Sequence, residues 1–137
     1  MAPRDLKNNI IVNPVLHADV ADNTATVGTI QDHRASKSHT YVIHAGTIAD
    51  ADATFTALLE ESDASDMSGA VAVDDAYLLG TEALAGFKFD SDNTVKTLGY
   101  IGYKRYTRLT ITPANNTGAA SFSAVCIEEP NVWGTTG

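Results

Sequence analysis

Hydrophobic and polar positions along the chain form short segments with a two-residue period, separated by residues typical of turns. The clearest is TFTALLE at 54–60, where Phe55, Ala57 and Leu59 would share one face of a strand. Leu58 interrupts the alternation, which indicates that the second face is also partly covered. The threonines and the phenylalanine at the start of this segment favour a strand over a helix.

The same period predicts strands in most of the chain. Further segments lie at 10–18, 24–30, 40–45, 70–73, 83–89, 95–101, 103–112 and 119–128. Pro14 suits an edge strand or a bulge, and residues 74–80 could form a strand or one helical turn. About eight or nine short strands with regular turn signals predict an all-β fold, an antiparallel, jelly-roll-like β-sandwich with extended termini.

The sequence PANNTG at 113–118 is rich in turn-forming residues. We therefore expect residues 103–112 and 119–127 to form a hairpin closed by this turn. Four aliphatic side chains would be buried in it: Leu109, Ile111, Val125 and Ile127.

A length of 137 residues, 44% of them hydrophobic, fits one domain with a packed core. We divide the chain into an N-terminal arm (1–9), a β-sandwich domain (10–128) and a C-terminal tail (129–137), because both ends are polar and lack an apolar period. No apolar run approaches the roughly 20 residues that span a bilayer. The first nine residues do not resemble a secretory signal. We expect no membrane partner, and folding in the cytoplasm of the cell that makes the protein.

The net charge of −8 argues against nucleic acid as a partner, because neutralising phosphates requires clustered lysine and arginine. The charge is unevenly spread. Residues 50–92 contain eleven acidic residues and one basic residue, whereas 95–112 contain four basic residues and no acidic one. Lys104, Arg105 and Arg108 belong to that basic stretch. They form either a solvated outer face or a basic stripe for a partner surface.

Motifs for catalysis or metal binding do not stand out. His17, His33, His39 and His44 lack the spacing of zinc ligands, so we predict no metal site. His39 and His44 would point to opposite faces of one strand. The single cysteine, Cys126, lies in an apolar segment and is expected to be buried and inert. We predict no catalytic residue, no cofactor and no enzymatic activity.

Several linked blocks of the sequence resemble a family of small virion proteins of tailed phages and prophages. The segment GYIGYKRYTRLTITPANNTG, from Gly99, is similar to the family's G-Y-[IV]-G-x-K-R-Y-x-R core and its T-P-x-x-N-T-G turn. The earlier segments DADATFTALLEESD and DDAYLLGTEA match as well, so the resemblance covers roughly residues 8–130. The loop DASDMSGAVAV and the tail EEPNVWGTTG depart from the family's pattern.

The resemblance implies a non-catalytic decoration, cement or minor capsid protein on the outside of a tailed-phage capsid, made in the cytoplasm of the host bacterium. Its partners would be the major capsid protein and further copies of itself, with a trimer as our expectation. Candidate contacts are Lys104, Arg105, Arg108 and Trp133, the one large aromatic residue of the end segments. Two other functions remain open: a head–tail connector or tail component, and a carbohydrate-binding module of the virion surface.

Overall fold

The computed structural model describes residues 6–33 and 36–130, with the backbone alone for Ser36, Lys37 and Pro130. These residues form eleven strands and two single-turn 3-10 helices, Lys7–Asn9 and Asp75–Tyr77. The strands are β1 (Ile11–Val20), β2 (Thr26–Val27), β3 (Gln31–Asp32), β4 (Ser36–Ile48), β5 (Thr54–Ser62), β6 (Val71–Ala72), β7 (Leu78–Leu79), β8 (Phe87–Lys88), β9 (Thr94–Tyr100), β10 (Tyr106–Ala114) and β11 (Ala120–Pro130).

The strands form two antiparallel sheets, so the predicted all-β sandwich is confirmed. The five-stranded sheet has the order β1-β11-β4-β9-β7. The six-stranded sheet has the order β2-β10-β5-β6, with β3 also paired to β10 and β8 to β5. The two strands beyond the nine predicted segments are β3 and β7, which have two residues each. Two residues are too few to show an alternation.

Side chains of alternating positions from both sheets meet in one core. Phe55, Ala57 and Leu59 of β5 are buried, as the alternation predicts. The ring of Phe122, on β11 of the other sheet, lies 4.7 Å from that of Phe55 and 5.4 Å from that of Phe87. Large apolar side chains thus hold the two sheets together at the centre of the sandwich.

The predicted hairpin of the last two long strands is wrong. β10 pairs with β5 in the six-stranded sheet, whereas β11 pairs with β1 and β4 in the five-stranded sheet. The PANNTG segment therefore carries the chain from one sheet to the other, with Asn115 at φ 55°. Turn residues reverse the chain direction, but they do not specify which sheet the next strand joins.

The burial expected for that hairpin is half right. Leu109 and Ile111 are buried. Val125 and Ile127 are only half-buried, because β11 turns the opposite set of side chains inward. That set comprises Phe122, Ala124, Cys126 and Glu128. The two faces of β11 carry side chains of similar mean polarity, so the sequence alone does not fix the phase.

The element boundaries also differ from the predicted ones. β10 starts at Tyr106 rather than at residue 103, and β11 continues through Pro130. Residues 74–80 combine both expected structures, a 3-10 turn followed by the short strand β7. Residues 1–5 of the predicted arm and 131–137 of the predicted tail lie outside the described residues. Among the described residues, no helix has the length and apolar character to cross a membrane.

Candidate functional site

The three cations proposed as capsid contacts each pair with an acidic side chain of the same chain. Lys104 Nζ lies 2.9 Å from Asp63 Oδ2. Arg105 binds Asp32 with two parallel hydrogen bonds of 2.9 Å. Arg108 Nη2 lies 3.2 Å from Glu60 Oε1. The acidic and basic stretches of the sequence thus complement each other within one molecule.

Hydrogen bonds to carboxylates raise the pKa of two of these cations. The hydrogen bond to Asp63 raises the pKa of Lys104 and, from the other side, lowers that of Asp63. The hydrogen bond to Asp32 likewise raises the pKa of Arg105. Their role in capsid binding stays a prediction, and Trp133 lies outside the described residues.

The middle of the outer face of the five-stranded sheet has a different character. Strand register forms three cross-strand rows there that contain no aspartate, glutamate, lysine or arginine. We call these residues the uncharged face. The rows are Val12, Ile127, Thr40, Gly99 and Leu79; Pro14, Val125, Val42 and Thr97; and His17, Ser123, His44 and Val95. Asp19 and Glu129 border them at the two ends of the same outer face. Between the rows lie the buried residues Tyr41, Ile43, Leu98, Ala124 and Cys126.

Large aliphatic side chains of the uncharged face are open to solvent. Val12 is 51% exposed, Leu79 57% and Val95 58%. Leu79 packs directly over Gly99, where an added Cβ would lie 2.8 Å from the Leu79 Cβ. The short strand β7 therefore forms the edge of the sheet on this side, and its Leu79 covers Gly99. The result is a flat, aliphatic surface on a protein whose net charge is −8.

Two tyrosines lie beside this surface. Tyr103 is 88% exposed, and its ring meets that of Tyr77 edge to face at 5.7 Å. Tyr77 precedes β7, and its backbone oxygen accepts a hydrogen bond from Ile101. Together they form an exposed aromatic pair at the end of β9.

A buried polar network fills one end of the space between the sheets. His33 Nδ1 lies 2.9 Å from Glu128 Oε1, and His33 Nε2 lies 2.6 Å from Thr107 Oγ1. Thr107 also hydrogen-bonds the hydroxyl of Tyr41. One set of proton positions satisfies all three hydrogen bonds. Tyr41 donates to Thr107, Thr107 donates to His33, and His33 donates to the Glu128 carboxylate.

The order hydroxyl, imidazole and carboxylate is that of a nucleophile, its base and the group that orients the base. Thr107, however, has an exposed fraction of 0%. A substrate would have to open the core to reach its hydroxyl. The network is therefore arranged to hold the two sheets together rather than to attack a substrate.

His39 completes this cluster. Its ring centroid lies 3.8 Å from that of His33, and it stands opposite Glu128 in the β4–β11 pairing. Burial, and then the neighbouring His33, lower the pKa of His39 to about 4, so its imidazole is neutral at pH 7. His33, His39 and Glu128 each bring a possible ligand atom to within 4.8 Å of the other two.

Sequence reasoning missed this cluster because it judged the histidines by their spacing along the chain. His33 follows β3, His39 lies on β4 and Glu128 on β11, so the fold alone brings them together. One usable signal existed. His39 shares the phase of the buried Tyr41 and Ile43, and His44 lies on the opposite face of the strand, as predicted, where it is exposed.

Cys126 is fully buried, as expected, with an exposed fraction of 0%. Burial raises the pKa of its thiol to about 12. The reactive thiolate form is therefore scarce at neutral pH.

No protein-family model matches the chain, and no curated protein matches it. Among solved structures it is similar to the N-terminal CBM22-1 and GH10 modules of the Clostridium thermocellum endo-1,4-β-D-xylanase 10B, complexed with xylohexaose. The identity is 13% and the TM-score 0.47, over 91% of this chain and 27% of that one. A second similar structure is the C-terminal family 22 carbohydrate-binding module of the same xylanase, with 14% identity, a TM-score of 0.43, and coverage of 90% of this chain and 87% of that one. The fold assignment itself follows from the two antiparallel sheets.

Proposed function

We propose that this protein is a structural component of a tailed-phage particle that decorates the outside of the capsid by binding the major capsid protein. The observation that carries the proposal is the uncharged face, which would lie against the capsid. The sequence resemblance to small virion proteins supplies the identity of the partner.

An exposed, contiguous aliphatic surface usually marks a protein–protein interface. Here the surface spans three neighbouring cross-strand rows of one sheet, and removing Val12, Leu79 and Val95 from water would stabilise a complex by roughly 25 cal/mol for each Å² of apolar area buried. The six-stranded sheet offers no equivalent surface, since Arg108 and Glu60 pair across its outer side. Capsid binding through the uncharged face would leave the charged sheet in solvent.

The attachment of a decoration protein is also strengthened by the many identical sites on the shell. Many copies on one shell convert weak individual contacts into a durable coat. Such a protein needs a stable domain and a flat contact surface, and both are present in this fold. Self-association around a local symmetry axis of the shell, with a trimer as our expectation, belongs to the same proposal.

Val95→Asp and Val27→Asp test the proposal as a matched pair. Both valines are 58% exposed strand residues, but Val95 lies in the uncharged face and Val27 on the six-stranded sheet. We expect Val95→Asp to reduce co-sedimentation with purified capsids at least tenfold, since it would bury an unpaired carboxylate. Val27→Asp should bind as the wild type does.

Equal binding by both variants would remove the uncharged face from the interface. Loss of self-association by Val95→Asp, measured by gel filtration with unchanged capsid binding, would instead assign this face to contacts between copies. Quantitative gel staining of purified particles separates decoration, with hundreds of copies expected for a full coat, from a connector or tail role with few.

A carbohydrate-binding module is the second candidate, and the exposed pair Tyr77 and Tyr103 favours it. Aromatic rings that are open to solvent provide apolar faces against which sugar rings can pack. Affinity electrophoresis in gels that contain soluble glycans would detect such binding. Retardation that Tyr103→Ala abolishes and Val27→Asp leaves intact would support this candidate, and unretarded wild-type protein would exclude it for the glycans used.

A further inference from the structure

We propose that His33, His39 and Glu128 form a structural binding site for a zinc ion at one end of the sandwich core. The side chains are 6%, 8% and 3% exposed, respectively, and they offer two imidazole nitrogens and a carboxylate oxygen. Their candidate ligand atoms lie within 4.8 Å of one another. In a tetrahedral zinc site such atoms are about 3.3 Å apart, so small side-chain rotations suffice to close the site.

The donor set determines the kind of ion. Two nitrogens and one carboxylate suit zinc and related transition metals, whereas calcium and magnesium take oxygen ligands. Three protein ligands with a water in the fourth position is a set that zinc accepts in proteins.

Each ligand is also held by a second group. Metal-binding histidines usually donate their other ring N–H to a protein oxygen, and metal-binding carboxylates are usually hydrogen-bonded. His33 Nε2 lies 2.6 Å from Thr107 Oγ1, and Asn13 Nδ2 lies 3.5 Å from Glu128 Oε2. The ring of His39 hydrogen-bonds the backbone of Tyr100. These contacts hold all three ligands beside one another before any metal binds.

Charge balance favours a cation here. A carboxylate that is removed from water requires a positive partner. In the absence of metal, His33 Nδ1 lies 2.9 Å from Glu128 Oε1 and donates its proton to it. Zinc would bind Nδ1 in place of that proton, and His33 would then carry its proton on Nε2 and donate it to Thr107 Oγ1. The ion would link His33, which follows β3 of the six-stranded sheet, to the adjacent strands β4 and β11 of the five-stranded sheet.

The test uses the full chain without a histidine tag, stripped with EDTA and then titrated with zinc chloride. We expect one zinc per chain to survive gel filtration, as measured by elemental mass spectrometry. The melting temperature should rise by at least about 3 °C in zinc and not in magnesium or calcium. His39→Gln should abolish both effects. His44→Gln, on the same strand but facing outward, should keep them.

Two outcomes would overturn the site: wild-type protein that retains no zinc, or equal retention by the two variants. If His39→Gln does not fold, cobalt binding to the wild type decides. Tetrahedral cobalt with nitrogen and oxygen ligands gives visible absorption bands, and their absence from the cobalt-loaded protein would contradict the proposal. The zinc experiment is independent of capsid binding, so either proposal can fail alone.

Discussion

At the scale of single residues, the core depends on side chains whose positions alternate along β5, β10 and β11. Leu109 is fully buried at the centre of the six-stranded sheet, opposite Leu59 in the β10–β5 pairing. It belongs to the hydrophobic core between the two sheets, so removing its side chain would leave a cavity.

We expect Leu109→Ala to lower the free energy of unfolding by ~2–5 kcal/mol, a large fraction of the ~5–15 kcal/mol typical of a domain. Urea denaturation followed by circular dichroism would measure it. Leu84→Ala, at a position 72% exposed, serves as the control and should change little. A wild-type midpoint for Leu109→Ala would contradict the assigned core.

Glu61 presents an unusual case, a carboxylate on the inward phase of β5 with its Oε2 buried and lacking a hydrogen-bond partner. Burial raises the pKa of Glu61 above its ordinary value of 4.5. Above pH 4.5 the unfolded chain releases this proton first, so this residue makes the folded state less stable as the pH rises.

Glu61→Gln should remove that loss. The variant should gain stability relative to the wild type between low pH and pH 7, because it carries no ionisable group at this position. Urea denaturation of both proteins at pH 4 and pH 7 gives the comparison directly. A difference between the two proteins that does not change with pH would contradict the raised pKa.

Which segments form strands was predictable at this scale. Which face of each strand is buried was only partly predictable. The sequence predicts the burial of Phe55, Ala57 and Leu59, because apolar residues alternate with threonines at the start of this segment. The predicted burial of Val125 and Ile127 was wrong because the opposite face of β11, which is buried, holds the small residues Ala124 and Cys126. The histidine–glutamate cluster could not be predicted from the sequence. His33 and Glu128 come together only because the fold places the β3–β4 connection beside β11.

At the scale of elements, the short strands depend on close backbone contacts that sequence patterns do not show. Gly28 follows β2 and donates its N–H to the backbone oxygen of Leu109 at 2.7 Å. A Cβ at this position would lie 2.7 Å from that oxygen and 2.9 Å from Val15 Cγ1. Here the chain passes between β1 of one sheet and β10 of the other with no room for a side chain.

Gly28→Ala should therefore destabilise the protein by ~1–3 kcal/mol, because the added methyl group forces the backbone apart. Differential scanning calorimetry would record a lower melting temperature. Thr29→Ala, at the exposed next residue, should melt close to the wild type. A Gly28→Ala protein as stable as the Thr29→Ala protein would mean that this crossing is not tightly packed.

At the scale of the whole molecule, the two outer sheet faces differ in charge. The six-stranded side carries ion pairs that are satisfied internally, and the middle of the five-stranded side carries the uncharged face, with Asp19 and Glu129 at its ends. This arrangement follows from register and could not be predicted from composition. The sequence shows only that acidic and basic stretches exist, not that Asp63 meets Lys104 or that Glu60 meets Arg108.

Docking through the uncharged face predicts that retention on capsids changes little as salt is raised, because screening weakens only charged contacts. Co-sedimentation across a sodium chloride series would measure this. Release at high salt would instead favour the earlier expectation that Lys104, Arg105 and Arg108 contact the capsid. Removing residues 129–137, with Trp133, tests the contribution of the tail in the same assay.

The position of β11 between β1 and β4 sets the order in which the five-stranded sheet can form during synthesis. Ile11 of β1 pairs with Glu128 of β11, from the opposite end of the described chain. β4 can pair with β9 as soon as β9 has been made, but β1 has no partner in this sheet until β11 leaves the ribosome. Pairings between such distant segments form slowly. Until then β1 and one edge of β4 stay unpaired and can associate with other chains, so a cell that makes many copies at once has reason to supply a chaperone.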